Sequence, residues 1–345
     1  MMKTVWERAK ETDKPILLYG TGNGADKIID ELTRLGIGID GVFAGDGFVR
    51  KRTFRGFDVL SYDEAKAQFG KFLVLLAFGS SRTEVIKNFI RIAREQEFYS
   101  VDVPVFGDNI FNRSFFEKHK AEIEQVRSML ADEQSKKVFD NIVNFKLTGN
   151  INLLFDCETP VSEAYENILN LSDNEVYMDL GAFNGDTVQQ FLQFVTGYKK
   201  IYAVEPDTKN FSKLLRNTAD IKNIECINSC ICDKIGEITF SKHGGRNGTV
   251  DESGVDIKCT TVDGISANED VSFIKFDIEG FEMFALDGAK ETIKRCKPKM
   301  LVSCYHRSED IFTLPLKVLS IRDDYKVYIR HNPYIPAWDT QFYFV

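Results

Sequence analysis

Two successive α/β units, the second a doubly wound sheet of seven strands, are predicted by this sequence, and three observations carry the prediction. Apolar runs of strand length alternate with amphipathic stretches of helix length along most of the chain. Two of the runs, Pro15–Tyr19 and Val176–Leu180, lead into a glycine turn and then a helix. The length of 345 residues is sufficient for two hydrophobic cores.

The first unit, residues 1–110, reads as a small Rossmann-like parallel sheet. Strand Pro15–Tyr19 is followed by the turn Gly20-Thr21-Gly22-Asn23-Gly24 and a helix over Ala25–Leu35. Ile39–Phe43 reads as a second strand ending near Asp46, Ser61–Phe69 as a helix and Phe72–Phe78 as a buried strand. A helix over Arg82–Gln96 places Val85, Ile86, Phe89, Ile90 and Ala93 on one face. Gly20, Gly22 and Gly24 are a near miss to the dinucleotide fingerprint. Two readings stay open: a nucleotide or nucleotide sugar at the helix N-terminus, or a tight turn with nothing bound.

Residues 111–172 read as a helical connector. Asp132–Phe139 and Ile142–Leu147 are amphipathic and end at Gly149, while Pro160 breaks a later segment. Leu153, Phe155 and Tyr165 belong either to a lid over the following sheet or to packing between the units.

The third segment, 173–345, carries the most informative pattern. Val176–Leu180 is followed by Gly181-Ala182-Phe183-Asn184-Gly185, a helix, strand Ile201–Val204 and an acid, Glu205, at that strand's end. An acid in this position accepts from ribose hydroxyls. The spacing of Gly181 and Gly185 differs from the dinucleotide pattern, and the acids Asp179 and Asp186 flank the turn, which disfavours a pyrophosphate. Acids suit a cation, and S-adenosylmethionine carries an ammonium and a sulfonium.

From Val176 onward the chain resembles the FkbM family of S-adenosylmethionine-dependent methyltransferases. The resemblance rests on Asp179, Gly181, Gly185, Asp186 and Thr187, on Glu205-Pro206, on the run Phe273–Glu282 and on Gly288-Ala289. Ser303-Cys304-Tyr305-His306, Asp310 and Tyr328–His331 look like a branch of the same family. It implies a class I methyltransferase sheet with S-adenosylmethionine as cofactor, and an O-methyltransferase acting on a hydroxyl of a sugar, glycan or related small molecule.

Strand order then assigns candidate roles, because ligands of open parallel sheets sit at the carboxyl ends of the strands. Asp179, Gly181, Gly185, Asp186, Thr187, Glu205, Pro206, Asn228, Cys230 and Asp277 are the expected cofactor contacts. For Asp186 and Thr187, helix capping competes with that role. A hydroxyl needs a general base as it accepts a methyl group. His306, after the strand Met300–Cys304, is the candidate, since an imidazole of ordinary pKa, about 6.5, titrates near neutrality. Asp277 and Glu279 are the other catalytic candidates, with Glu279 the rival base. His331 and Glu282 are assigned to the substrate. Asp277, Glu279 and His306 have metal-ligating chemistry but no compact motif, so no metal is expected. Cys226, Cys230, Cys232 and Cys259 lack zinc-finger spacing and read as small buried thiols.

Gly236–Phe240 and Val255–Thr260 predict an inserted pair of strands around the loop His243–Gly248, and Lys326–Arg330 with Gln341–Val345 a terminal hairpin. A net charge of −8 without a clustered basic surface argues against nucleic acid as partner. Arg50–Arg55 is short and reads as a solvated loop. With no run of about 18 apolar residues, a charged N-terminus and an odd cysteine count, the expected compartment is the cytoplasm. A homo-oligomer is compatible with this reading. The rivals are an oxidoreductase with a nicotinamide cofactor at Gly20–Gly24, and a non-catalytic protein sensing S-adenosylmethionine and a nucleotide sugar.

Overall fold

The computed structural model describes residues 2–45, 53–241, 249–250, 255–267 and 269–345. Strands β1 (Ile16–Tyr19), β2 (Gly41–Phe43), β3 (Thr53–Phe54), β4 (Phe57–Leu60), β5 (Leu73–Leu76) and β6 (Glu97–Ser100) form a six-stranded sheet in the order β3-β4-β2-β1-β5-β6. Only the β3–β4 pair is antiparallel. All residues of β1 and β5 are buried, which is why they read as uninterrupted apolar runs.

Helices Asn23–Arg34, Tyr62–Phe69 and Thr83–Glu95 fall within a few residues of their predicted spans. Ser61 closes a capping box with Glu64 at the start of the second. The sequence reading did not include helix Val5–Glu11, the β3–β4 hairpin or β6. The last two are short and only half-buried, so neither period nor apolarity marks them.

Next come helices Arg113–Lys118, Lys120–Met129 and Glu133–Thr148. Asp132 caps the third by accepting from Ser135 N–H at 2.6 Å, and Gly149 ends it in the left-handed region at φ +67°. Val138, Phe139, Ile142 and Phe145 of this helix belong to one apolar cluster with Leu17 and Phe72 of the first sheet and Ile274, Met300 and Phe342 of the second. Each such side chain contributes about 1.5–3 kcal/mol on burial. Tyr165 is buried and stacks on Phe194 at 4.4 Å, so it is a packing residue rather than part of a lid.

The second half contributes β7 (Val176–Leu180), β8 (Lys200–Val204), β9 (Ile224–Ile227), β10 (Cys230–Ile231), β11 (Gly236–Ser241), β12 (Thr249–Val250), β13 (Val255–Thr260), β14 (Phe273–Phe276), β15 (Lys299–Ser303), β16 (Val327–His331) and β17 (Thr340–Phe344). Seven of them form a sheet in the order β16-β17-β15-β14-β7-β8-β9. It is parallel except around β17, which pairs antiparallel with both β15 and β16. The terminal hairpin is therefore present, with β17 inserted beside β15. The expected inserted pair is β11 and β13, antiparallel within a small four-stranded sheet. The loop His243–Gly248 and residues 50–52 lie outside the described residues. Among those described, no helix is long and apolar enough to cross a membrane.

Candidate active site

Strands β15, β14, β7 and β8 are neighbours, so their carboxyl ends bring Ser303, Phe276, Leu180 and Val204, with the residues that follow, to one edge. Asp179, one residue before the end of β7, is fully buried. It accepts from the Thr187 hydroxyl and from Lys275 Nζ at 3.3 Å. Lys275 also lies 3.7 Å from Asp277. Burial alone would lower the Lys275 ammonium pKa, but Asp179 and Asp277 more than offset it and hold the charge. Lys275 was missed in the sequence, although a lysine inside the run Phe273-Ile274-Lys275-Phe276 was the available signal.

The glycines of the first turn have structural reasons to be glycine. Gly181 has φ +82°, and a Cβ there would run into the Asp277 carbonyl. Gly185 has φ +90°, with Leu214 and Thr218 within 3.2 Å of where its Cβ would stand. The sequence reading gave the second glycine to ligand approach; the space beside its α-carbon is filled by protein. Between them Phe183 sits at φ +48° with its side chain exposed. Asp186 Oδ1 accepts from Thr187 N–H at 2.9 Å, but the cap position of this helix is Gly185, which offers no side chain, and Asp186 is its first residue.

Glu205 is buried after β8. Its carboxylate accepts from Phe183 N–H at 3.0 Å and from Asp207 N–H at 2.9 Å. Burial pushes its pKa up to about 7 against those two donors. Asn228 donates to the carbonyls of Glu205 and Pro206 at 2.8 and 3.1 Å, tying the end of β9 to that of β8. Cys230 is buried, and burial raises its thiol to about 12, so it offers a compact apolar wall rather than a charge.

An acid cluster forms beyond β14 and β15. His306 is 1% exposed, with Glu282 Oε1 2.9 Å from Nδ1 and with Asp277 Oδ1 and Glu279 Oε2 at 3.4 and 3.7 Å from Nε2. Burial opposes protonation, but Glu282, Asp277 and Glu279 together raise this imidazole to about 10. It is an imidazolium near neutrality, which revises the expectation of a neutral base. Tyr305 donates to Asp277 Oδ1 at 2.9 Å. Burial would raise the Asp277 carboxyl, yet Lys275 and His306 hold it below the usual range. Glu279 is half exposed and takes φ +56°, a strained conformation for a side chain of its size. Glu282 is buried and accepts from Ile278 N–H at 2.9 Å, so it faces His306 rather than an opening.

The first half of the chain supplies a wall that no local pattern announced. Phe106 N–H donates to the His306 carbonyl at 2.8 Å, and the Phe106 ring packs on Gly280, on Phe281 and beneath Arg307. Lys27 anchors that segment by donating to the Pro104 carbonyl at 2.7 Å. Ser80 after β5 bridges to Ile335, and Gly79 lies against Tyr334 and Trp338 of the loop before β17.

His331 is placed elsewhere than expected. It is fully buried in β16, its Nδ1 2.9 Å from the Thr340 hydroxyl, and burial lowers it to about 4. In the first glycine turn, Gly20 has φ +119° and Gly24 packs with its Cβ position 2.5 Å from the Ala77 carbonyl oxygen, while Gly22 faces open space. The turn is thus explained at Gly20 and Gly24 without a ligand.

Residues 179–327 match the family model of the methyltransferase FkbM domain. No curated protein matches the chain. Among solved structures, the methyltransferase FkbM from Methylobacillus flagellatus KT is similar over 96% of this chain and 90% of its own, with 22% identity and a TM-score of 0.74. Aeropyrum pernix fibrillarin in complex with S-adenosyl-L-methionine aligns over 53% of this chain and 74% of its own, at 15% identity and a TM-score of 0.34.

Proposed function

We propose that the region matching the methyltransferase FkbM domain, residues 179–327, transfers a methyl group from S-adenosylmethionine to a hydroxyl group of a sugar or glycan. The observation that carries this reading is the convergence of Asp277, Glu279 and His306 within 3.7 Å at the strand edge that also holds Gly181 and Glu205. A base is needed for a hydroxyl acceptor and dispensable for an already nucleophilic thiolate.

The residues fit the donor by the chemistry of their groups. The desolvated Glu205 carboxylate has lone pairs left for ribose hydroxyls beyond its two backbone contacts. Asp277 and Glu279, both partly exposed, are carboxylates suited to a cationic donor. When bound, S-adenosylmethionine supplies an electrophilic methyl group on a sulfonium. As that methyl group is taken up, the acceptor hydroxyl would give its proton to a carboxylate of this chain. Glu279 is assigned that role, because it is exposed and strained into place, while His306, already protonated, holds the carboxylates in position. Most of the acceleration comes from alignment of donor and acceptor.

Calorimetric titration with S-adenosylmethionine, followed by transfer of labelled methyl to a panel of glycans and to matched thiol and amine acceptors, tests the proposal. Label on hydroxyls that is lost in Glu279→Gln while donor affinity is kept supports it; label only on nitrogen or sulfur overturns it.

A further inference from the structure

Three carboxylates converge on one buried imidazole at the end of β14 and β15, and the arrangement is incomplete as a hydrogen-bonded cluster. His306 Nε2, with no carboxylate nearer than 3.4 Å, and Glu282 Oε2 are buried without a hydrogen bond, while Nδ1 faces Glu282 Oε1 at 2.9 Å. Buried polar atoms are normally satisfied, so two orphans in one corner point to a missing group. One ligand atom from each of Asp277, Glu282 and His306 lies within 4.8 Å of the other two, close to the ~4.4 Å that two bonds of about 2.2 Å to one ion span, so a bound ion draws them slightly together.

Charge leads to the same place. Asp277, Glu279 and Glu282 face His306, and Lys275, 3.7 Å from Asp277, is shared with Asp179 at 3.3 Å, so the carboxylates outnumber the cationic groups. A divalent cation in place of the imidazole proton supplies one further positive charge. One imidazole with two carboxylates suits a first-row transition ion, whereas Mg²⁺ prefers an all-oxygen shell.

We propose that Asp277, Glu282 and His306 form a binding site for a divalent first-row transition cation, with the Glu279 carboxylate beside it. The site opens toward the acceptor side through Asp277 and Glu279, which are 27% and 53% exposed. An ion there polarises an acceptor hydroxyl and lowers its pKa. The proposal goes beyond the methyl-transfer reading: a bound ion takes the place of the His306 proton in holding the carboxylates, and metal binding itself is read without donor or acceptor.

The test is titration of the chelator-stripped, full-length protein with Mn²⁺, followed by the loss of the free-ion electron paramagnetic resonance signal. The expected result is saturation near one ion per chain, resistant to a tenfold excess of Mg²⁺ and weakened roughly tenfold or more in His306→Gln and Glu282→Gln. Circular dichroism establishes that the variants fold; should either buried substitution unfold the protein, the partly exposed Asp277→Asn takes its place. Absence of saturable binding, or binding unchanged in the folded variants, overturns the proposal. Donor binding measured by calorimetry without Mn²⁺ fails or succeeds independently of both outcomes.

Discussion

The two sheets start alike, with a strand, a glycine turn and a helix, and diverge at the strand ends. In the first sheet β1, β2 and β5 run into Gly20, Ala44 and Ala77, and the turn closes by packing, Gly24 upon the Ala77 carbonyl. In the second, β7, β8, β14 and β15 run into Gly181, Glu205, Asp277 and Cys304, with Asp179 one residue before the end of β7 and Tyr305 and His306 directly after Cys304. A glycine turn therefore reports the topology of a βα unit, and the residues closing the strands report its chemistry. Each edge also contains a buried ion pair: Lys146 with Asp102 at 2.9 Å in the first half, Lys275 with Asp179 at 3.3 Å in the second.

That parallel gives the largest expected effect. Lys146→Ala and Lys275→Ala each leave an acid buried without its partner, and each should destabilise the protein by about 3–5 kcal/mol in denaturant unfolding. Only Lys275→Ala should also disturb S-adenosylmethionine binding, because its partner Asp179 adjoins the β7 turn. Equal loss of donor affinity in Lys146→Ala would mean that the first edge takes part in the site after all.

A crossed pair of substitutions sharpens the contrast. Glu205→Gln should weaken S-adenosylmethionine by about 10- to 100-fold, the range for losing hydrogen bonds to a charged group, while its amide oxygen keeps one of the two backbone contacts and limits the change in thermal stability. Gly24→Ala should do the reverse: its new methyl group meets the Ala77 carbonyl, costing about 1–3 kcal/mol of overpacking, while donor affinity stays at the parent value. Calorimetry and thermal unfolding on both variants read the cross directly.

Much of this architecture was legible because it is written in short-range patterns. Apolar runs such as Leu73–Leu76 and Val176–Leu180 are buried along their whole length and need no tertiary knowledge to be read as strands. The acids at strand ends were readable for the same reason, since position on a strand implies position on an edge. Electrostatic state was not. His306 looks like a neutral base in sequence because its own motif does not reveal that Glu282 faces one nitrogen and Asp277 and Glu279 the other. His331 looked like a substrate contact because it follows a strand of the same sheet, yet the antiparallel insertion of β17 buries it against Thr340. Phe106 and Trp338 were invisible because their importance comes from contacts between distant segments.

The smallest effect separates the edges by pH. Glu205 has its pKa raised to about 7 by burial, so in the free protein it is largely neutral at pH 6 and ionised at pH 8. Ribose hydroxyls donate best to the carboxylate, so donor affinity should rise about tenfold between those values, the limit for one group titrating at 7. Stability of the free protein should move the other way. The folded pKa stands above the ordinary value of 4.5, so this group's contribution to stability is fully present below 4.5 and is lost as pH rises through 7. Binding and stability thus have opposite slopes over one window, and Glu205→Gln should flatten both. Calorimetry in buffers of different ionisation enthalpy offers a second check, because binding at pH 6 should release close to one proton from Glu205 and binding at pH 8 almost none. A profile that keeps its slope in Glu205→Gln would place the titrating group elsewhere on the edge, with Asp339, raised to about 6 by burial, the first to examine.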